Sequence, residues 1–270
     1  IQNVQLRSSV LNQRSLLSSQ FEGSHAFFSK FKFLWNVNYS YNHKEQPDLR
    51  VISYIKGIGT ADPFSVNLRG NNTNRFFSHL TDHAFGYNAS LTYDFKIGEQ
   101  KQAIKIGGNS TVRLRDFKAI IFGFDEPSDP SLRVLPFDRI FSKGNFKANG
   151  FELNTDLQNP QDKYYGISAL SAGFVMFDNK LSDKWRLVWR ARAENFEQFL
   201  KSNKQGTDKA VVINTDKLDI LPSLNIILSP NLKSNIRLAG SKTVARPEFR
   251  EIAPFAFFDF EQIASTAGLT

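Results

Sequence analysis

The sequence predicts an all-β protein: a fragment of a membrane β-barrel with about eight antiparallel strands. One observation is that apolar and polar residues alternate over long runs, as from Phe85 to Ile97. Such a run has one apolar and one polar face, because successive side chains of a strand point to opposite sides. Soluble strands usually have about 5–6 residues, whereas strands that cross a membrane need about 9–11. The other observation is that short and long connections alternate between the runs.

The composition agrees with a membrane barrel and argues against other classes. The chain has 270 residues, is 41% hydrophobic and has a mean hydropathy of -0.34. It has no run near the about 18 apolar residues that a membrane helix requires, but strand alternation hides a barrel from such averages. The absence of cysteine excludes a disulfide scaffold and a cysteine-ligated zinc site. The net charge is +8 without a basic run of five residues, which does not favour nucleic-acid binding.

Eight strands are predicted along the chain. Clear alternation covers 31–41, 85–97, 104–115, 185–194 and 235–241, and weaker strands are expected at about 4–20, 164–178 and 217–229. Short connections are expected at about 21–27, 98–102, 179–183 and 230–233, and long ones at about 43–83, 117–163 and 199–217. In an antiparallel sheet all the long connections lie at one edge. Outer-membrane barrels have this asymmetry, with short periplasmic turns and long extracellular loops.

Charge is confined to one face of these strands. A charge that faces lipid near the bilayer midplane costs about 2–4 kcal/mol for Arg or Lys, and the apolar faces carry none. We therefore expect the following residues to face lipid: Phe31, Phe33, Trp35, Tyr39, Phe85, Tyr87, Leu91, Tyr93, Trp185 and Trp189. We expect these to face the lumen: Lys32, Asn36, Asp94, Arg113, Arg115, Arg186, Arg190, Arg192 and Glu194.

The excess of basic residues on the lumenal face predicts a barrel wider than eight strands. Only Asp94 and Glu194 are acidic among the residues assigned to that face. The interior of an eight-stranded barrel is filled by its own side chains, and burying unpaired charges there is unfavourable. Acidic residues of another domain, or water, are expected to satisfy Arg113, Arg186, Arg190 and Arg192.

Three segments resemble the barrel of TonB-dependent outer-membrane receptors, in the branch with long loops. They are "EQPDLRVISY" at 45–54, "DRIFSKGNFKANGFELNTDLQNPQDKYYG" at 138–166, and "DILPSLNIILSPNLKSNIRLAGSKTVARPEFREIAPFAFFDFE" at 219–261. The last is the most specific: a strand, a tight turn and a strand are followed by Arg-Pro-Glu-Phe-Arg-Glu. The resemblance extends over nearly the whole chain.

The resemblance implies a barrel of about 22 strands in the outer membrane of a Gram-negative bacterium. It also implies an N-terminal plug domain, a TonB-contacting box, and in full-length relatives a carboxypeptidase-regulatory-like extension. The implied function is energised uptake of a siderophore, an oligosaccharide or a peptide. The implied partners are the lipid bilayer, the protein's own plug and TonB, with a surface lipoprotein as a further candidate. Residues 1–270 are then expected to be a partial barrel, with the plug and the terminal strands outside this chain.

The segment "RPEFREIAPFAFFDF" at 246–260 is the strongest candidate site. One interpretation is a loop base held by ion pairs and packed aromatic rings. The other is a surface that contacts ligand, plug or a partner lipoprotein. The candidate residues are Arg246, Glu248, Phe249, Arg250, Glu251, Phe255 and Phe257.

No metal site, cofactor or enzymatic activity is predicted. "HLTDH" at 79–83 has two histidines but is assigned to a loop without a third ligand. "FDEPSDPS" at 124–131 is acidic but lacks the spacing of a calcium loop. No catalytic Ser-His-Asp, Cys-His or paired-carboxylate arrangement stands out.

Two alternative functions remain open from the sequence. One is a plug-less barrel with a structural or secretion-associated role, which would use the same fold as a scaffold. The other is a soluble secreted β-sandwich that binds carbohydrate, in which the apolar faces would pack inside the protein.

Overall fold

The computed structural model describes residues 2–70, 72–156, 162–203, 209–231, 233–254, 256–259 and 264–267. None of its helices is long and apolar enough to cross a membrane. Two 3-10 helices span Pro130–Val134 and Lys143–Asn145, and one short helix, α1, spans Phe249–Ile252. The strands are β1 (Gln2–Ser9), β2 (Gln13–Phe27), β3 (Phe31–Gly57), β4 (Ser65–Val66), β5 (Asn74–Ile97), β6 (Gln100–Asp125), β7 (Glu152–Asn154), β8 (Lys163–Lys180), β9 (Trp185–Asn203), β10 (Ala210–Asn231), β11 (Ser234–Ser241), β12 (Ala256–Asp259) and β13 (Ala264–Ala267).

The strands form one antiparallel sheet of 11 strands, with β12 and β13 as a separate pair. The order across the sheet is β1-β3-β5-β6-β8-β9-β10-β11, while β2 pairs with β3 beside β1. The sheet therefore has eight positions, which confirms the predicted number. The order runs from the β1 and β2 edge to β11, and the described strands do not pair these two edges with each other.

The strands are longer than the sequence predicts, and the connections are correspondingly shorter. The predicted loop at 43–83 is mostly strand, since β3 runs to Gly57 and β5 begins at Asn74. The predicted loops at 199–217 and 117–163 are also partly strand, since β9 runs to Asn203, β10 begins at Ala210, β6 runs to Asp125 and β8 begins at Lys163. The alternation of short and long connections nevertheless persists. At the other edge of the sheet, short turns at 28–30, 98–99 and 181–184 join β2 to β3, β5 to β6 and β8 to β9.

The first short turn lies later than predicted. β2 continues through the expected connection at 21–27, and the chain reverses at 28–30. Phe28 and Ser29 adopt φ values of 49° and 58° there. Paired left-handed residues match the right-handed twist of the flanking strands in a tight hairpin.

The strand register places the predicted faces on opposite sides of the sheet. Phe31 pairs with Tyr93, Tyr93 with Ile104, and Phe177 with Trp189. The resulting apolar face carries all ten predicted lipid-facing residues. The opposite, charged face carries all nine predicted lumen-facing residues. A β-bulge between Gln46 and Leu49 shifts the register of β3, so that beyond it the odd residues lie on the charged face.

Large side chains of the apolar face are exposed in this chain. Tyr87 is 59% exposed, Leu218 70% and Leu238 69%. A second sheet would bury these side chains in a sandwich. This exposure does not fit the soluble β-sandwich alternative.

Beyond the bulge, the apolar side of the sheet is covered by an outer cap, residues 130–151. Phe124 and Ile52 of the sheet pack there against Leu132, Ile140 and Phe151. The Tyr54 hydroxyl donates to the Leu135 carbonyl at 2.8 Å. A second core lies on the charged face, where the chain folds back after β11.

Candidate functional site

The candidate site is the charged face together with the inner segment, residues 242–254, which folds back over it. Two parts of this segment form hydrogen bonds with β10 and β9 of the sheet. The backbone N–H of Lys242 donates to the Pro222 carbonyl at 3.0 Å. The Gln198 amide donates to the Pro247 carbonyl at 3.2 Å. These contacts place Arg246, Glu248 and Phe249 against the charged face.

Asp82 lies at the centre of the first ion-pair cluster and is only 4% exposed. It accepts from Arg113 Nε at 2.9 Å and from Arg115 Nε at 2.7 Å. Arg113 also donates through Nη1 to Glu248 Oε2 at 2.9 Å. Two guanidinium groups and two carboxylates thus join β5, β6 and the inner segment.

Arg246 forms a second cluster on the same face. Its Nη2 lies 2.7 Å from Glu194 Oε2, and its Nη1 lies 3.1 Å from Asp219 Oδ2. Arg192 Nε donates to the other oxygen of Glu194 at 2.6 Å. The Arg246 guanidinium also lies over the Phe196 ring, 4.9 Å from its centre. The cluster joins β9, β10 and the inner segment.

Phe249 is the apolar anchor between these clusters, and it is 1% exposed. It packs in a core with Phe117, Tyr164, Leu200 and Ala253. Gly166 makes room for it, since a Cβ at that glycine would lie 2.6 Å from the Phe249 ring. Here glycine permits close approach rather than an unusual backbone conformation.

A capping box shapes the chain around Phe249. The Glu248 backbone N–H donates to the Glu251 carboxylate at 3.0 Å, and the Glu248 side chain caps the start of α1 in return. Arg250 and Glu251 are exposed on the outer side of this turn. Phe255 lies outside the described residues. Phe257 belongs to β12, but its side chain also lies outside the described part.

Other predicted residues of the charged face have partners within this chain. Arg186 pairs with Asp178, and the Arg190 guanidinium lies 6.0 Å from the centre of the Phe174 ring. Asn36 accepts from the Asn38 amide at 3.1 Å. Lys32 and Asp94 are exposed near the short-turn edge.

The expectation that the arginines depend on another domain or on water is therefore wrong for Arg113, Arg186 and Arg192. This face carries more acidic residues than the sequence pattern predicts. The pattern predicts a loop at Asp82 and gives no face for Asp178, Asp219 and Glu248. Extending the alternation back from Phe85 to Asp82 places Asp82 on the charged face, where its register partner is Arg115.

Closer to the short turns, the charged face forms an open polar groove of about 390 Å³. Its lining includes amide, hydroxyl and ammonium groups and the Phe174 ring. The residues that contribute these groups are Asn38, Asn88, Ser90, Lys105, Asn109, Thr111 and Phe174. Arg192 reaches its border and donates to Asn109 at 2.8 Å.

The histidine motif at 79–83 and the acidic motif at 124–131 have other roles in the structure. "HLTDH" lies within β5, not in a loop, so His79 and His83 share the apolar side while Asp82 points to the charged face. His83 Nδ1 lies 2.9 Å from the Tyr39 hydroxyl. In the acidic motif, Asp129 caps the first 3-10 helix. Within the described residues, no cluster of three or more His, Asp or Glu side chains could hold a metal.

Comparisons with known proteins agree with this architecture. Residues 136–266 match the model of the Outer membrane protein beta-barrel family. No curated protein matches the sequence.

Solved receptor structures share the fold. The open form of the ferric-catecholate import receptor Fiu from E. coli K12 has a TM-score of 0.53 at 11% identity, covering 86% of this chain and 36% of that one. Its closed form has a TM-score of 0.53 at 10% identity, with 86% and 33% covered. The siderophore receptor PiuA from Acinetobacter baumannii has a TM-score of 0.50 at 10% identity, with 82% and 31% covered. The chain spans about a third of the length of these receptors.

Proposed function

We propose that this chain forms part of the wall of a receptor for TonB-energised ligand uptake. The match of residues 136–266 to the model of the Outer membrane protein beta-barrel family supports this proposal. The ligand class in this proposal is a siderophore, an oligosaccharide or a peptide. The proposed location is the Gram-negative outer membrane, with the apolar face towards lipid and the charged face towards the lumen.

The observation that carries the proposal is the separation of the two faces along the full register. Between Phe31 and Tyr41, β3 has an apolar face whose length is about 33 Å along the strand. At a tilt of about 45° this corresponds to a height of about 23 Å, close to the about 25 Å apolar band of outer-membrane barrels.

Aromatic side chains mark both ends of this band. At the short-turn end, the Phe31 and Tyr93 rings lie 4.7 Å apart, and the Phe177 and Trp189 rings 4.2 Å apart. At the other end, Tyr39 and Phe85 lie 4.9 Å apart. Such belts are typical of the two interfaces of a membrane barrel.

The open edges of the sheet support a wider barrel. An unpaired edge leaves backbone donors and acceptors without partners, and in lipid such an edge is not tolerated. The edges at β1 and β11 therefore require neighbouring strands. The lumen of a wider barrel can hold a plug domain, which would contact the polar groove. TonB would act through a box on that plug.

Single-cysteine accessibility tests this proposal, since the chain has no native cysteine. Arg190→Cys on the charged face and Trp189→Cys on the apolar face form a matched pair in the full-length protein. Intact cells are treated with a membrane-impermeant maleimide, with and without TonB. We expect the Arg190→Cys variant to be labelled, and more slowly without TonB, while Trp189→Cys stays unlabelled.

The same experiment distinguishes the uptake receptor from a plug-less structural barrel. That alternative has one observation in its favour: Arg113, Arg186 and Arg192 find acidic partners within this chain. It predicts labelling of the Arg190→Cys variant at the same rate with and without TonB. Such a result would overturn the uptake proposal while leaving the barrel fold in place.

A further inference from the structure

Three lysines lie together on the apolar side of the sheet, just beyond its apolar band. They are Lys118 of β6, Lys163 of β8 and Lys201 of β9, on adjacent strands. Lys118 and Lys163 are direct partners in the register, and Lys201 pairs with Tyr165, two residues along from Lys163. All three are exposed. They form what we call the lysine triad.

The surroundings of the triad neutralise it only in part. Like charges directly opposite each other on a sheet are destabilising. Asp116, on the same face, forms one ion pair with Lys118 at 3.6 Å, but both side chains are well exposed, and exposed pairs contribute little. The nearest acid of β9 on this face, Glu197, lies about 13 Å along the strand from Lys201 and accepts from Asn195 at 2.8 Å. Within the described residues, no ion pair involves Lys163 or Lys201.

The position of the triad relative to the apolar band identifies its environment. Lys118 lies four residues beyond Leu114, towards the edge with the long connections. That edge is the extracellular one in an outer-membrane barrel. Headgroups occupy the zone directly beyond the hydrocarbon, and lysine stems can lie along apolar surface while the ammonium groups reach that zone. Tyr165, 40% exposed, lies beside the lysines and suits the same interface.

We propose that the lysine triad binds the phosphate groups of an anionic glycolipid in the outer leaflet. Three ammonium groups on adjacent strands offer a multivalent cationic surface, which fits a headgroup with more than one phosphate. The exposure of the triad and the shortage of nearby acids are then functional features. The bound phosphates remove the repulsion between Lys118 and Lys163.

The test uses the full-length protein in nanodiscs of zwitterionic phospholipid. The triple variant Lys118→Gln, Lys163→Gln, Lys201→Gln is compared with wild type for binding of diphosphorylated lipid A, measured by native mass spectrometry. A control triple variant, Lys32→Gln, Lys96→Gln, Lys105→Gln, removes the same charge from the opposite face. The unfolding midpoint without lipid A shows that each variant is folded, and Lys163→Gln alone replaces the triple variant if it is not.

We expect the triad variant to bind diphosphorylated lipid A at least about tenfold more weakly, while the control variant binds like wild type. Dephosphorylated lipid A should bind wild type and the triad variant equally. Equal binding of diphosphorylated lipid A by wild type and the triad variant would overturn the proposal. Equally weakened binding by the control variant would also overturn it, because this result indicates a net-charge effect. A preference of the triad for inorganic phosphate or an acidic protein over the lipid would overturn it as well.

Discussion

The outer cap and the inner segment both fold over strand ends, but they use different interactions. The outer cap, on the apolar side, is held mainly by ring packing, as between Phe124 and Phe141 at 3.9 Å. The inner segment, on the charged side, is held by ion pairs around a single buried ring, that of Phe249. Each segment thus has the chemistry of the face it covers. The two-faced character of the strands therefore extends into their connections.

The largest expected effect comes from Asp82→Asn in the inner network. The substitution keeps the size of the side chain but leaves Arg113 and Arg115 without their shared carboxylate. Removing one partner of a buried ion pair costs about 3–5 kcal/mol. We expect this loss in the free energy of unfolding, measured by urea titration in lipid vesicles.

The control is Asp94→Asn on the same strand and the same face. Asp94 is exposed, so its substitution should change stability by less than about 0.5 kcal/mol. Equal effects of the two variants would mean that the ion pairs of Asp82 do not hold the inner segment.

The second test removes one ring from each region. Phe249→Ala should lower the free energy of unfolding by about 3 kcal/mol, at the lower end for buried phenylalanine, because most of the inner segment around Phe249 is exposed. Hydrogen exchange should show faster exchange in residues 242–254 but not in the outer cap. Phe151→Ala, 2% exposed in wild type, should show the reverse pattern. If either variant speeds hydrogen exchange in both the inner segment and the outer cap, the two segments are not held independently.

The third test places one charge on each face of β3, midway along the apolar band. Val37→Arg points to the apolar side and should reduce folding stability in bilayers by about 2–4 kcal/mol. Asn38→Arg, on the charged side, should change it by less than about 1 kcal/mol, since Asn38 is exposed to the polar groove. A larger loss for Asn38→Arg would reverse the assignment of the faces.

The smallest effect is expected in the outer cap, at the start of its first 3-10 helix. The Asp129 carboxylate accepts from the Ser131 hydroxyl at 2.6 Å and from its N–H at 3.0 Å. These bonds lower the pKa of Asp129 below its ordinary value. The lowered pKa means that the stabilisation is complete above the unfolded-state pKa and is lost as the pH falls through the folded-state pKa. Amide protection of residues 131–135, corrected for intrinsic exchange, should fall in acid for wild type but stay level for Asp129→Asn.

The strand positions and their faces were predictable, because alternation is local and long in 31–41 and 85–97. The strand ends were not, because the bulge between Gln46 and Leu49 shifts the faces within β3 and breaks the pattern. The role of Asp82 has a different reason: its polar segment 79–83 is predicted as a loop, although the alternation of β5 continues through it. The ion pair between Arg113 and Glu248 joins residues 135 apart in sequence, and no local pattern predicts such a contact.

The central claim, that the apolar face contacts lipid, can be tested through the native tryptophans. The three tryptophans of the chain, Trp35, Trp185 and Trp189, all lie on the apolar face. If this face contacts lipid, lipids with brominated acyl chains quench their fluorescence strongly, while aqueous iodide quenches it weakly. Strong quenching by iodide with little effect of the brominated lipids would place this face in water instead.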